Sequence, residues 1–147
     1  MKKLVLLAAA AASLSVAAAT AQADETNPSI VHRQAIYKIA AGHMQDLKAG
    51  LFLKGGSENL AWNAESIVEA FKRMGNAYPE GSDKGETKAK ANIWTEKEKF
   101  QEAGKKAFTA AVALAEATKA GDQAKSVDAF KALGGACKAC HEDFRKD

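Results

Sequence analysis

The chain has 147 residues, 47% hydrophobic and 27% charged, with 21 lysine and arginine side chains against 18 aspartate and glutamate. That length supports a single domain with a real core. A formal charge of only +3, with no basic tract, excludes a nucleic-acid binder.

Residues 1–23 read as a signal peptide: Lys2 and Lys3 form a basic start, Leu4 to Ala19 is almost wholly apolar or small, and Ala21-Gln22-Ala23 suits cleavage before Asp24. Cleavage there leaves 124 residues with 19 basic and 18 acidic side chains. The polar, proline-containing stretch that follows argues against an uncleaved anchor, so no membrane attachment is expected after cleavage.

The first helical segment opens after Asn27-Pro28, where proline suits a first helical turn. Ile30, Tyr37, Met44 and Leu51 share one heptad position, and Arg33, Ala40 and Leu47 the partner position. Gly55-Gly56-Ser57 breaks the chain. A second segment carries Ala64, Ile67, Phe71, Met74 and Tyr78 and is expected to run to Pro79-Glu80-Gly81. Residues 79–92 form a polar crossover with too few apolar side chains to be core. The third segment has a capping-box pattern, Thr95 with Glu98, then Phe100, Ala103, Ala107, Ala110, Leu114 and Ala117, and stops near Gly121. The fourth starts around Asp122, a good N-cap, and carries Val127, Phe130, Gly134, Cys137, His141 and Phe144. These spacings predict an all-α fold over residues 24–147, an antiparallel up-down-up-down four-helix bundle.

Cys137-Lys138-Ala139-Cys140-His141 carries the chemistry. C-x-x-C-H is the attachment signature of c-type haem: two thiols add to the vinyl groups and the adjacent imidazole is an axial iron ligand. Helical spacing puts both sulfurs on one side of a turn, with His141 one step beyond. A redox dithiol reading needs a βαβ setting that the chain does not offer, and a zinc site needs a fourth ligand from His32 or His43. The motif falls on the apolar stripe, so the haem is expected inside the bundle. Gly134-Gly135 costs a helix roughly 1–2 kcal/mol relative to alanine. It reads either as a local weakness or as room for a planar group against the backbone.

Only six residues follow His141 in this sequence, so any sixth iron ligand is expected from upstream. In an up-down-up-down bundle the last helix lies antiparallel to the first, which sets His141 level with Arg33 to Tyr37. Met44 shares the face of Tyr37 but lies seven residues on, about 10 Å along the axis, and the level of His141 favours Tyr37. His32 and His43 point off that face and read as surface or boundary residues, Met44 and Met74 as core packing. A neutral phenol with an ordinary pKa near 10 is a poor ligand, so a five-coordinate iron facing a Tyr37-lined pocket is expected. Arg33 reads as a propionate contact or a surface ion pair, with Gln34 a nearby donor. Arg145, four residues after His141, either shields the proximal imidazole or is an ordinary cation at a helix end.

Arg33-Gln34-Ala35-Ile36-Tyr37, Ile93-Trp94 and the stretch from Gly134 to Arg145 resemble cytochrome c′, the class II c-type cytochromes, and the resemblance spans the whole mature chain. Members of that family are standing examples of four-helix bundles, so it implies the same fold. It implies one covalent haem c per chain, with Cys137 and Cys140 as thioether residues and His141 as a rather accessible proximal ligand. Arg33 and Gln34 would lie near the propionates, Arg145 near His141, and Tyr37 at the distal position. A low-spin branch has a ligating methionine where this chain has Tyr37. The departure favours the high-spin, gas-binding type.

The resemblance further implies a periplasmic protein that binds nitric oxide and carbon monoxide and takes part in nitric oxide handling or electron transfer. The competing reading is a six-coordinate low-spin electron-transfer cytochrome. An enzyme such as a peroxidase is not expected, because no distal acid–base residue accompanies Tyr37. Homodimers through the first two helices are common in the family, and redox-partner proteins are implied. Lys138 reads either as steering an acidic partner or as solvated surface charge.

Overall fold

The computed structural model describes residues 27–53 and 56–147; the signal-peptide reading and Gly55 lie outside them. The chain forms α1 (Pro28–Phe52), α2 (Leu60–Lys72), the short α3 (Asn92–Thr95), α4 (Lys97–Lys119) and α5 (Gln123–Phe144). Around the bundle α1 packs on α2, α2 on α4, α4 on α5, and α5 returns to α1. Contacts between opposite helix ends show the antiparallel order. Gln123 Nε2 at the start of α5 donates to Leu51 O at the end of α1 (3.3 Å). Lys119 at the end of α4 meets Glu65 early in α2 (3.9 Å). The predicted up-down-up-down bundle is therefore the observed one.

The first and last helices each have a side-chain cap at their start. Asn27 Oδ1 accepts from Ser29 N (3.0 Å) ahead of Pro28 at the first turn of α1. Asp122 Oδ1 accepts from Lys125 N (3.0 Å) at the start of α5. Between α4 and α5 the chain reverses at Gly121, whose φ of 68° suits glycine. The connection after α1 lies so close that a Cβ on Gly56 would collide with the Ala49 carbonyl, and one on Gly50 with the Ser57 carbonyl.

One aliphatic cluster ties the four long helices together: Ala40 and Leu47 from α1, Ala64 and Ile67 from α2, Ala111 and Leu114 from α4, and Leu133 from α5. Three alanines among seven let the helices approach closely. The leucines and isoleucine each contribute about 1.5–3 kcal/mol by burial. Met44 packs on this cluster as expected of a seam methionine.

Four expectations need correction. α2 ends at Lys72, before Met74 and Tyr78, because the chain tightens into successive i→i+3 turns at Arg73, Met74 and Ala77, around Gly75. Thr95 is not an N-cap: it belongs to α3, and α4 starts after Glu96 with no side-chain cap. The crossover is polar but reaches the interior, since Ser82 within it is wholly buried. On α5 the inward seam runs through Ser126, Leu133 and Phe144, which leaves His141 exposed and Cys137 and Cys140 half-buried. The motif thus lies on the flank of the seam, with its imidazole on the rim.

Candidate haem-attachment site

Cys137, Cys140 and His141 lie on the last two turns of α5. Cys137 and Cys140 are free thiols. Cys137 packs on the aliphatic cluster, and burial raises the pKa of both sulfurs, so they are held as thiols. His141 stands on the solvent side of the same turn. Partial desolvation and the neighbouring Arg145 cation lower its pKa, which favours the neutral imidazole that can ligate iron. Beside it an open groove of about 470 Å³ is lined by Gly134, Cys137, His141 and Arg145, among others.

Gly134 and Gly135 bear on what this surface can accept. A Cβ built at either position meets no atom within 4 Å, so no protein neighbour requires glycine there. Their effect is to keep the backbone ahead of Cys137 bare, which suits a flat ring lying against it. Two thiols, a neutral imidazole one step beyond and a bare helical face together form a donor set that fits a c-type haem.

Tyr37, on the neighbouring helix α1, lies near enough to Cys140 and Cys137 for both to act on its hydroxyl. Its hydroxyl accepts from Tyr78 Oη at 3.2 Å. Although 38% of Tyr37 is exposed, its hydroxyl is the sheltered end. Burial, then Tyr78, then Cys140 and Cys137 push its pKa far above the ordinary tyrosine value. Tyr37 therefore presents a neutral phenol towards the cysteines, a weak ligand for iron.

Arg33 is the strongest anchor at this end and is only 2% exposed. Its Nη1 donates to Ala77 O (3.1 Å) and Ser82 Oγ (3.0 Å), and its Nη2 to Ser82 O (2.6 Å) and Thr87 Oγ1 (2.9 Å). The guanidinium lies 4.8 Å from the Tyr78 ring centre and 5.9 Å from that of Trp94. Burial lowers its pKa, while Tyr78 and then Tyr37 raise it. Among the described residues it makes no ion pair with a carboxylate. Sequence reasoning placed Arg33 at a seam edge as a propionate contact or a surface ion pair, and its burial without a carboxylate partner rules out the second. The structure gives it the task of holding the crossover, and among the described residues its Nε–H has no acceptor. Gln34 is exposed and likewise holds the crossover, through Nε2 to Glu86 O (2.8 Å).

Arg145 is the extended residue that closes α5; it pairs with Ala89 in an isolated antiparallel bridge, flanked by Lys90 N to Phe144 O (2.9 Å) and Lys146 N to Lys88 O (2.7 Å). No second imidazole joins the site. His32 Nε2 lies 3.2 Å from Arg73 O, and His43 Nδ1 lies 2.7 Å from Asn63 Oδ1 with its ring edge-on to Trp62. Among the described residues no cluster of His, Cys, Asp and Glu could hold a metal ion, so the zinc reading has no site.

Sequence reasoning missed Tyr78 as a site residue, because its spacing continues the α2 stripe. Gly75 was the available sign that the helix stops before it.

Comparison with known proteins bears directly on this site. The family model described as cytochrome C′ matches residues 28–145. A cytochrome c′ from Rhodospirillum rubrum is 34% identical over 151 aligned positions, covering the whole of both chains. A solved cytochrome c′ described by an unusual ligand-controlled dimer dissociation superposes with a TM-score of 0.76 at 30% identity, covering 81% of this chain and 95% of that one. A nitric oxide complex of a variant cytochrome c prime from Alcaligenes xylosoxidans superposes with a TM-score of 0.75 at 25% identity, covering 81% and 94%.

Proposed function

The chain belongs to the cytochrome c′ family, and from that premise we propose that it is a periplasmic gas-binding cytochrome with one covalent haem c. Cys137 and Cys140 form the thioethers and His141 is the only strong protein ligand to the iron. The haem supplies an iron with an open coordination position for nitric oxide or carbon monoxide. The residues of the chain do the rest. The bare backbone at Gly134 and Gly135 lets the ring seat against α5, and Arg145 keeps the His141 imidazole neutral. The Arg33 Nε–H serves the propionate region, with Gln34 fixing the crossover beside it. Tyr37 covers the distal side.

The observation that carries this reading is the neutral Tyr37 phenol facing the cysteines, while His32 and His43 are engaged elsewhere and Met44 packs in the aliphatic core. It supports a pocket rather than a sixth ligand. The nitric oxide complex of the Alcaligenes xylosoxidans relative supports the choice of ligand. Among the described residues no carboxylate or imidazole acts on the two phenols, which favours binding over catalytic turnover. Among the described residues no helix is long and apolar enough to cross a membrane.

We further propose a homodimer through α1 and α2. Val31 (51% exposed), Ile39 (50%) and Trp62 (61%) leave apolar surface on these two helices, and the ligand-controlled dimer dissociation of the relative is in keeping with it. The test of the haem reading is absorption and EPR spectroscopy of the ferric and ferrous protein with and without carbon monoxide. High-spin spectra that change on adding the gas are expected. A low-spin ferrous spectrum indifferent to carbon monoxide would instead establish a six-coordinate iron.

A further inference from the structure

We propose that Tyr78 is a positioning residue that turns the Tyr37 hydroxyl into a hydrogen-bond donor on the distal side, so that the pocket favours bound gases whose outer atom carries negative charge. The proposal rests on the reading of Tyr37 as the distal residue and adds a specificity to it. Tyr78 lies outside α2, in the turn before Pro79, and is clamped from several sides. The Arg33 guanidinium sits over its ring at 4.8 Å, Phe100 packs edge-on at 4.8 Å and Trp94 at 6.0 Å. The clamps are themselves fixed: Arg33 by four hydrogen bonds, and Trp94 by donation from Nε1 to Pro79 O at 2.9 Å.

A hydroxyl held this firmly has one partner among the described residues, the Tyr37 oxygen at 3.2 Å. The cation over its ring draws density from the Tyr78 phenol, which makes Tyr78 the better donor of the pair. Burial raises both phenols, but at Tyr78 the hydrogen bond with Tyr37 and then the Arg33 cation offset part of that rise. Tyr78 therefore spends its proton on Tyr37. The Tyr37 proton is then left over, and among the described residues no protein acceptor takes it. A polar hydroxyl facing the thioether cysteines is thus pre-aligned to donate to whatever binds there.

The test is infrared spectroscopy of carbon monoxide on the ferrous holoprotein, in wild type, Tyr37→Phe, Tyr78→Phe and the double variant. A donor at the ligand lowers the C–O stretching frequency, so Tyr37→Phe should raise it. Tyr78→Phe should shift or split the band in the same direction, and the double variant should match Tyr37→Phe, because the two residues act in series. Release of the gas from Tyr37→Phe should be up to about tenfold faster, the size of one hydrogen bond. A second measurement needs no variant: an exchangeable proton coupled to nitric oxide in the wild-type ferrous protein, lost on transfer to heavy water. A C–O band unmoved by Tyr37→Phe, or no exchangeable coupling, overturns the donor. A band moved by Tyr37→Phe but not by Tyr78→Phe, or additive shifts in the double variant, overturns the positioning role. If carbon monoxide does not bind at all, the gas-binding reading falls and this proposal with it.

Discussion

The middle of the bundle and its cysteine end are built on different principles. The middle is held by seven small or aliphatic side chains, from Ala40 to Leu133, with no polar atom among their side chains. The cysteine end is held by a buried guanidinium, a tyrosine pair and edge-on aromatic contacts running from Trp94 through Tyr78 and Phe100 to Phe144. Aliphatic packing is non-directional and tolerates small shifts. Hydrogen bonds to a fixed guanidinium do not. The bundle therefore keeps stability and positional precision in separate places, and the second sits where a reactive group has to be oriented.

Mutations that treat the two regions unequally break or sharpen this contrast. Leu47→Ala in the middle is expected to cost about 2–5 kcal/mol in chemical denaturation, with the haem spectrum unchanged at temperatures where the protein stays folded. Arg33→Met at the other end should cost less, about 1–3 kcal/mol, from acceptors left unpaired at Ala77, Ser82 and Thr87. Unlike Leu47→Ala, it should also alter the EPR signal and the midpoint potential. An unchanged spectrum in Arg33→Met would dissolve the contrast. Gln34→Ala removes one exposed hydrogen bond to the crossover and should change stability by less than about 1 kcal/mol. The smallest effect belongs to the far end of α5. The Lys125 side chain and backbone hold the Asp122 carboxyl below its ordinary value of 3.8. Its contribution is fully present above that value and fades as pH falls through the lower folded value. Asp122→Asn should therefore flatten the acid limb of a melting-temperature profile and leave the haem spectrum alone.

Much of the bundle was legible because helical periodicity reports burial directly. The starts at Asn27 and Asp122, the stop at Gly121 and the pairing of Arg33, Ala40 and Leu47 on one inward line all follow from side-chain chemistry or spacing. Periodicity fails where two adjacent lines look alike. On α5 it chose the stripe through Val127, Phe130 and His141, but Ser126 and Leu133 are the more deeply buried, and Ser126 can be so because its hydroxyl donates to Asp122 O at 2.7 Å. On α1 it passed over Ile36, which is 4% exposed, in favour of Tyr37. The attachment motif was legible from spacing alone. The task of Arg33 was not, because its acceptors lie 44 to 54 positions away in a segment without a repeating pattern.

The order of the helices also sets a timetable for maturation. α1 with α2 and α4 with α5 are local hairpins, whereas docking one on the other joins partners as distant as Leu51 and Gln123, 72 positions apart. Such non-local closure belongs late in folding. Once it is complete, Cys137 is tucked against the aliphatic cluster and Tyr37 closes over the cysteines from α1. Both sulfurs are half-buried in the docked bundle, so they are most open to modification while the C-terminal hairpin is still undocked.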